Sequence, residues 1–217
     1  MPRITRVGTA CWIGVLLLAQ GCAHEPAPRV EQVQVPPRIV LASWPTIGIV
    51  EFRSATEPEL ASLGTSQFVE MLHQAQPGAP ILELGSQQRV LGEVGKSELD
   101  FDAARAIGKH YGVDAIFVGE LLFDAPSGSV NLGQAFESID ARAVVTGRLA
   151  TRLLDARTGA TVWSYSSSEK AQVARFGLAE GVGPLFGVSD PHDSRTAMVR
   201  QMVWDQRDDF YPTWRDR

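Results

Sequence analysis

The first 21 residues restrict the possible fold most strongly, because they form a segment that belongs to no folded domain. Arg3 and Arg6 make a basic start, and a short apolar stretch follows from Ala10 to Ala19. Small residues come next and complete the three-part pattern of a secretory signal. The apolar stretch is too short to stay across a bilayer as a helix. We therefore expect the chain to be exported and the fold to be built from later residues.

The signal ends in the run Leu18-Ala19-Gln20-Gly21-Cys22, which resembles the lipobox of bacterial lipoproteins. Ala19 stands where that motif usually has leucine, whereas Gly21 directly before the cysteine follows the motif. The resemblance implies cleavage between Gly21 and Cys22, a diacylglyceryl group on the Cys22 thiol and an acyl group on the new amino terminus. The alternative is a plain signal peptide with an incidental cysteine.

Cysteine usage favours the lipid. Cys11 lies inside the signal and Cys22 is the only other cysteine, so no intramolecular disulfide can form after cleavage. Several acyl chains on one residue give stable membrane attachment, whereas a single chain binds only marginally. Ala23 follows the cysteine, instead of the aspartate that resembles an inner-membrane retention signal. We therefore expect an outer-membrane protein whose domain faces the periplasm.

The net charge excludes one class of partner. The whole chain carries a formal charge of −5, and removal of Met1–Gly21, which holds two arginines and no acid, leaves it near −7. This acidic balance lacks the electrostatic footprint of a nucleic-acid-binding protein. The acidic balance also gives no indication of a polybasic segment that binds anionic lipid headgroups. The membrane contact is therefore expected to come from the lipid on Cys22.

The next segment predicts a tether that precedes one domain. Residues 22–43 contain four prolines among Glu, Gln and Arg and have little to bury, which favours a partly extended linker of at most roughly 60 Å. Residues 44–217 are expected to form the periplasmic domain.

Strand and helix patterns alternate along that domain. Period-2 or β-rich runs predict strands, and apolar spacings of three to four with helix-start and helix-stop residues predict helices. The predicted strands are 46–52, 80–84, 113–123, 141–154 and 161–165, and the predicted helices are 58–75, 86–94, a segment from Asp100 or Asp102 to Tyr111, and 191–209. This order predicts an α/β domain (an α+β sandwich) with a mixed sheet of about four to six strands and helices packed mainly on one face.

Two stretches resemble a known family. Ala106–Glu120, with Gly112-Val113-Asp114 before an apolar run and Gly119, resembles the helix-then-strand signature of CsgG/LpoB-like periplasmic domains. Leu153–Ser164, with its Asp-x-x-Thr-Gly turn and Trp163-Ser164, resembles the hairpin of the same group. The resemblance covers about 46–168 and implies their small α/β sandwich fold. It also implies two non-enzymatic roles, a subunit of an oligomeric outer-membrane secretion channel and an activator of a peptidoglycan synthase.

The channel alternative requires two amphipathic hairpins. Their places in the family correspond to Asp124–Asp140 and Ser166–Asp190. Both segments are rich in glycine, and neither alternates between apolar and polar residues. We therefore expect loops there and favour a protein–protein interaction or assembly module, with a cell-envelope protein as partner and a homo-oligomer as a further expectation.

Two surfaces are candidates for such a partner. Phe210, Tyr211 and Trp214 place aromatic residues, which are enriched at interfaces, near the C-terminus. Arg142, Arg148 and Arg152 share one face of the predicted 141–154 strand, because side chains alternate along a strand. The alternative for the aromatic residues is that they pack onto the sheet, and the alternative for the arginines is that their face is only solvated.

The remaining motifs predict no catalytic residue, no metal ligand and no cofactor beyond the lipid on Cys22. The four histidines (His24, His73, His110 and His192) are scattered and lack the spacing of a zinc site. The run Gly92–Ser97 ends like a phosphate-binding loop, but Val90 stands where that motif requires glycine. The last alternative is that the protein is an enzyme whose catalytic residues form no recognisable sequence motif.

Overall fold

The fold comes from a computed structural model that describes residues 32–132, 138–179, 182–188 and 190–216. The predicted signal, Gly21, Cys22 and the first part of the predicted tether lie outside these residues. The chain divides into a large unit of residues 34–214 and a small unit of residues 1–33 with 215–217, of which only 32, 33, 215 and 216 are described. Within the described ranges, no helix has the length and apolar character needed to cross a membrane.

The described residues form nine strands and four α-helices. The strands are β1 (Gln32–Val35), β2 (Ile47–Glu51), β3 (Ile81–Ser86), β4 (Ala115–Phe123), β5 (Ser127–Leu132), β6 (Ser138–Asp155), β7 (Thr161–Ala179), β8 (Val182–Val188) and β9 (Thr213–Asp216). The helices are α1 (Pro58–Ala75), α2 (Gln87–Glu93), α3 (Phe101–Tyr111) and α4 (Pro191–Trp204), with short 3₁₀ turns at Leu41–Ser43 and Arg207–Asp209. The α/β class is confirmed.

The main sheet is mixed, as predicted. Its order is β3-β2-β4-β6-β7-β8, and β5 pairs with β6 as a seventh strand off this path. β2 runs parallel to β3 and β4, whereas the pairs β4–β6, β5–β6, β6–β7 and β7–β8 are antiparallel. Helical crossovers therefore build one half of the sheet and direct chain reversals build the other. β1 and β9 form a separate two-stranded sheet.

Helices cover both faces of the sheet, and the two longest share one face. On that face, α1 and α4 enclose an aromatic cluster in which the ring of Phe68 lies 5.2 Å from that of Phe117, and the ring of Trp163 lies 5.0 Å from that of Phe210. On the other face, α2 and α3 cover a second cluster that includes Ile107 and Ile116. The edge-to-face ring geometry adds to the apolar burial of the first cluster.

Local signals fixed the ends of α3 as expected. The carboxylate of Asp100, rather than that of Asp102, caps the helix and accepts a hydrogen bond from the Ala103 amide at 2.7 Å. Gly112 ends the helix in the left-handed conformation with φ 68°, which glycine adopts without steric cost.

The β6–β7 turn explains the Asp-x-x-Thr-Gly motif. The Asp155 carboxylate accepts hydrogen bonds from the Thr158 hydroxyl at 2.8 Å and the Thr158 amide at 2.7 Å, and these bonds lower the pKa of Asp155. Gly159 follows with φ 78°, and a Cβ there would lie 2.4 Å from the carbonyl oxygen of Phe101. The motif therefore closes a turn and seats it against α3.

The expectation of loops in two segments was wrong. β5 and the start of β6 form an antiparallel pair from Ser127↔Val144 to Leu132↔Ile139. β7 continues to Ala179, and its last part, from Ala174↔Val188 to Ala179↔Val182, pairs with β8. The reason is a free edge. β7 pairs along one edge of β6, β4 occupies only residues 147–155 of the other edge, and β5 uses the part that β4 leaves open.

The folded unit also extends upstream of the predicted boundary at residue 44. The side chain of Leu41 is fully buried. The Gln76 amide accepts a hydrogen bond from the Leu41 amide at 2.7 Å and donates to the carbonyls of Ile39 at 2.6 Å and Phe210 at 3.0 Å. One side chain at the end of α1 thus holds the incoming and outgoing chain segments.

The packing of α3 makes a stability prediction. An alanine Cβ at Gly108 would lie 2.6 Å from the Cβ of Ala156 and 3.1 Å from two backbone oxygens, whereas nothing lies within 4 Å of a Cβ at Gly92 in α2. We expect Gly108→Ala to lower the free energy of unfolding by about 1–3 kcal/mol. Gly92→Ala should raise it by up to about 1 kcal/mol. Chemical denaturation measures both, and a Gly108→Ala protein as stable as the wild type contradicts this packing.

Candidate functional site

Among the described residues, no helix packs on one face of the antiparallel half of the sheet. The inward residues of β4 and β6, such as Leu121 and Leu149, are buried against α1 and α4. On the opposite face, α2 and α3 cover Ile116, Val118 and Leu154 and extend no further along these strands. We call the exposed remainder of this second face the open face; it consists of Leu122, Arg148, Ala150, Arg152, Ser164, Ser166, Ser168 and Lys170.

Strand register fixes the arrangement of the open face. Arg148 lies opposite Ser168 and Arg152 lies opposite Ser164, with Ser166 between them on β7. Directly opposed residues on antiparallel strands have Cβ atoms about 4.5–5.5 Å apart. Arg148 and Arg152 are four residues apart on one strand, which corresponds to roughly 13 Å. The open face therefore presents a row of hydroxyls beside two guanidinium groups at a fixed spacing.

The cations of the open face are unpaired. Within the described part of the chain, Arg148, Arg152 and Lys170 form no ion pair. Glu120 lies on the same side of β4, but its carboxylate binds the Arg53 guanidinium at 2.5 Å. A basic area thus lies on a chain whose net charge is negative. Electrostatic complementarity of this kind selects oppositely charged partners.

The strand predicted for residues 141–154 carries its three arginines at exposed positions. Arg142, Arg148 and Arg152 are all exposed on β6. Arg142 lies further along the strand, opposite Ser129 of β5. The sequence also offered a signal that was missed, the alternation of Ser164, Ser166 and Ser168. The intervening Ser167 is buried, and its hydroxyl donates to the Met202 carbonyl at 3.0 Å.

The structure separates the three candidate aromatic residues. The side chain of Phe210 is fully buried and packs among the rings of Phe68, Phe117 and Trp163. The prediction that Phe210 is an interface residue was therefore wrong, and Phe210 is a core residue. Tyr211 is partly buried against the same cluster, and Trp214 is 62% exposed.

The burial of Phe210 follows from an early helix end. α4 stops at Trp204 instead of continuing to Asp209, and the 3₁₀ turn Arg207–Asp209 directs Phe210 inward. The Trp163 indole donates to the Asp209 carboxylate at 2.8 Å and fixes this turn.

The histidines and the predicted lipidation site form no further candidate site within the described residues. His73, His110 and His192 are exposed, and no group of three or more His, Cys, Asp or Glu in the described ranges is placed to hold a metal ion. Cys22, Gly21 and His24 lie outside these ranges, so lipidation at Cys22 stays a prediction.

Comparison with known proteins gives distant structural likenesses. No protein-family model and no curated protein sequence matches the chain. A structure described as a homologue of a neuraminyllactose-binding hemagglutinin from Helicobacter pylori has a TM-score of 0.42 and 10% identity and covers 73% of this chain and 78% of its own. Lipoprotein GNA1162 from Neisseria meningitidis has a TM-score of 0.35, 17% identity and coverages of 74% and 96%.

A third similar structure is the LpoB C-terminal domain from Salmonella enterica, with a TM-score of 0.33, 14% identity and coverages of 62% of this chain and 95% of its own. The similar structures thus include bacterial lipoproteins. At these low TM-scores and identities, the likenesses carry no argument about function.

The open face makes a second stability prediction. Arg148 is exposed and unpaired, so Arg148→Ala should change the free energy of unfolding by no more than about 0.5 kcal/mol. Its neighbour Leu149 is fully buried on the other side of the strand, and Leu149→Ala should cost about 2–5 kcal/mol. Thermal and chemical unfolding of the two variants provide the comparison. A large loss in Arg148→Ala would mean that the guanidinium supports the fold and that the face is not free.

Proposed function

We propose that this chain is a lipid-anchored, non-catalytic binding module of the bacterial cell envelope, and that an acidic surface of another envelope protein docks on the open face. The observation that carries the proposal is a set of cations, Arg148, Arg152 and Lys170, which pair with no described acid and lie on a sheet face that no described helix covers. The chain as a whole is acidic. These side chains form no ion pair with another described residue, so their charge is available to an acidic partner. A flat sheet face suits a protein surface better than a small molecule, because small-molecule sites are concave.

The anchor rests on the lipobox-like run that ends at Cys22. Eleven residues lie between Cys22 and Gln34, where the large unit begins, and this stretch spans at most roughly 40 Å at the reach of an extended chain. A lipid on Cys22 therefore keeps the open face within reach of partners close to the same membrane. Ala23 after the cysteine supports the outer membrane as that membrane.

Replacement of the lipid-bearing sulfur tests the anchor. Cys22→Ser removes the acceptor of the diacylglyceryl group, so the protein should move from the membrane pellet to the soluble periplasmic fraction. Cell fractionation measures this shift, and labelling with a radioactive fatty acid should mark only the wild type. Cys11→Ser, which changes a residue inside the signal, serves as the matched control and should leave both results unchanged. A Cys22→Ser protein that still pellets with membranes after its signal has been removed would show that the anchor lies elsewhere.

Charge removal tests the binding surface. The double variant Arg148→Gln with Arg152→Gln should weaken partner capture by mild crosslinking in membranes at least about tenfold, because complementary charges set association. The matched control is Lys109→Gln with Arg200→Gln, which removes the same charge from exposed helix positions. Trp214→Ala tests the other exposed candidate in the same assay. Equal capture by the two double variants would remove the open face from the proposal.

A second candidate is a subunit of an oligomeric secretion channel. One observation favours it: the two segments where the CsgG/LpoB-like resemblance places channel hairpins are paired strands, β5 with β6 and β7 with β8. The same membrane crosslinking separates the candidates. A ladder that ends in a ring of many identical copies supports the channel, and a complex with a different protein supports the binding module, including activation of a peptidoglycan synthase.

A further inference from the structure

A crevice of about 710 Å³ lies at the carboxyl ends of the parallel strands β2 and β3. The connection from β2 to α1 forms one wall, and α2 with the residues after it forms the other. Open α/β sheets bind their ligands at the carboxyl ends of parallel strands, because the connecting loops leave space there. The volume falls in the range of about 300–1,000 Å³ that is usual for small-molecule sites.

The crevice holds two opposite charges that do not pair with each other. Glu51 and Lys96 both line it, and neither side chain forms a hydrogen bond or an ion pair with any described residue. The Lys96 amide is bonded to the Leu91 carbonyl at 2.9 Å, which fixes the backbone from which the ammonium projects. Arg53 adds a second cation, already bound to Glu120.

The remaining lining is partly apolar and partly neutral. Phe52 and Leu91 contribute apolar surface, and the hydroxyls of Ser86 and Ser97 contribute hydrogen-bonding groups. Ser86 occupies the N-cap position of α2, but its hydroxyl makes no capping hydrogen bond. This hydroxyl is therefore available to a ligand.

We infer that this crevice binds a small zwitterion, a free peptide of two or three residues, with its ammonium group at Glu51 and its carboxylate at Lys96. A purely anionic ligand would leave Glu51 unpaired and be repelled by it, and a purely cationic ligand would leave Lys96 unpaired and be repelled by it. A neutral ligand would leave both charges without partners. A zwitterion satisfies both, and an aliphatic side chain on it packs against Phe52 and Leu91. The inference does not depend on the open face or on the lipid.

Leucyl-leucine and two blocked derivatives test the charge requirement on the purified full-length protein. N-acetylation removes the ammonium group and C-amidation removes the carboxylate. We expect saturable binding of leucyl-leucine by calorimetry and at least about tenfold weaker binding of each derivative, because each loses one charge-assisted contact. Binding of the acetylated peptide as tight as that of leucyl-leucine overturns the zwitterion assignment, and so does the absence of saturable binding of leucyl-leucine.

Two substitutions that each remove one charge test which residue contacts which end of the peptide. Glu51→Gln should bind leucyl-leucine and its N-acetyl form equally weakly, and Lys96→Gln should no longer discriminate against the C-amide. Glu98→Gln, an exposed carboxylate that does not line the crevice, is the control and should behave as the wild type. Unfolding curves confirm that the variants fold. If Glu51→Gln and Lys96→Gln bind all three peptides as the wild type does, the peptide binds elsewhere and the assignment fails.

Discussion

The pairing of β6 with three other strands is the constraint on which the rest of the fold depends. β7 runs along one edge of this 18-residue strand, and β4 and β5 share the other edge in succession. β4 also joins β6 to the parallel half of the sheet through β2. Because β6 is hydrogen-bonded on both edges, a slip of its register would disturb the parallel half and the antiparallel half together.

The same strand links the core to the open face. Side chains alternate along β6, so the register that buries Leu149 and Leu153 also exposes Arg148 and Arg152. Burial of the leucines supplies the stability, and the arginines are presented at no further structural cost. The position of the basic side chains is therefore fixed by hydrophobic packing on the opposite side of the sheet.

Local patterns allowed much of the fold to be predicted. α1 begins at Pro58, Asp100 caps α3 and Gly112 ends it, because each signal depends on residues only a few positions apart. β5 and β8 could not be predicted from composition, since their glycines and serines suggest loops and their strand character comes from pairing with β6 and β7. The burial of Phe210 could not be predicted from local patterns either, because Phe210 packs against Phe68, which lies far away in the sequence.

The positive charge of the open face depends on an ion pair between two residues outside it, Arg53 and Glu120. Glu120 is the one acidic residue of β4, and it lies opposite Ala150, which stands between Arg148 and Arg152 on β6. A free Glu120 would draw one of these guanidinium groups into an ion pair across the strands. Arg53, from the segment after β2, binds Glu120 instead and leaves both guanidinium groups facing solvent. Exposed ion pairs contribute little to stability, so the effect of this pair lies in the charge that it leaves on the open face.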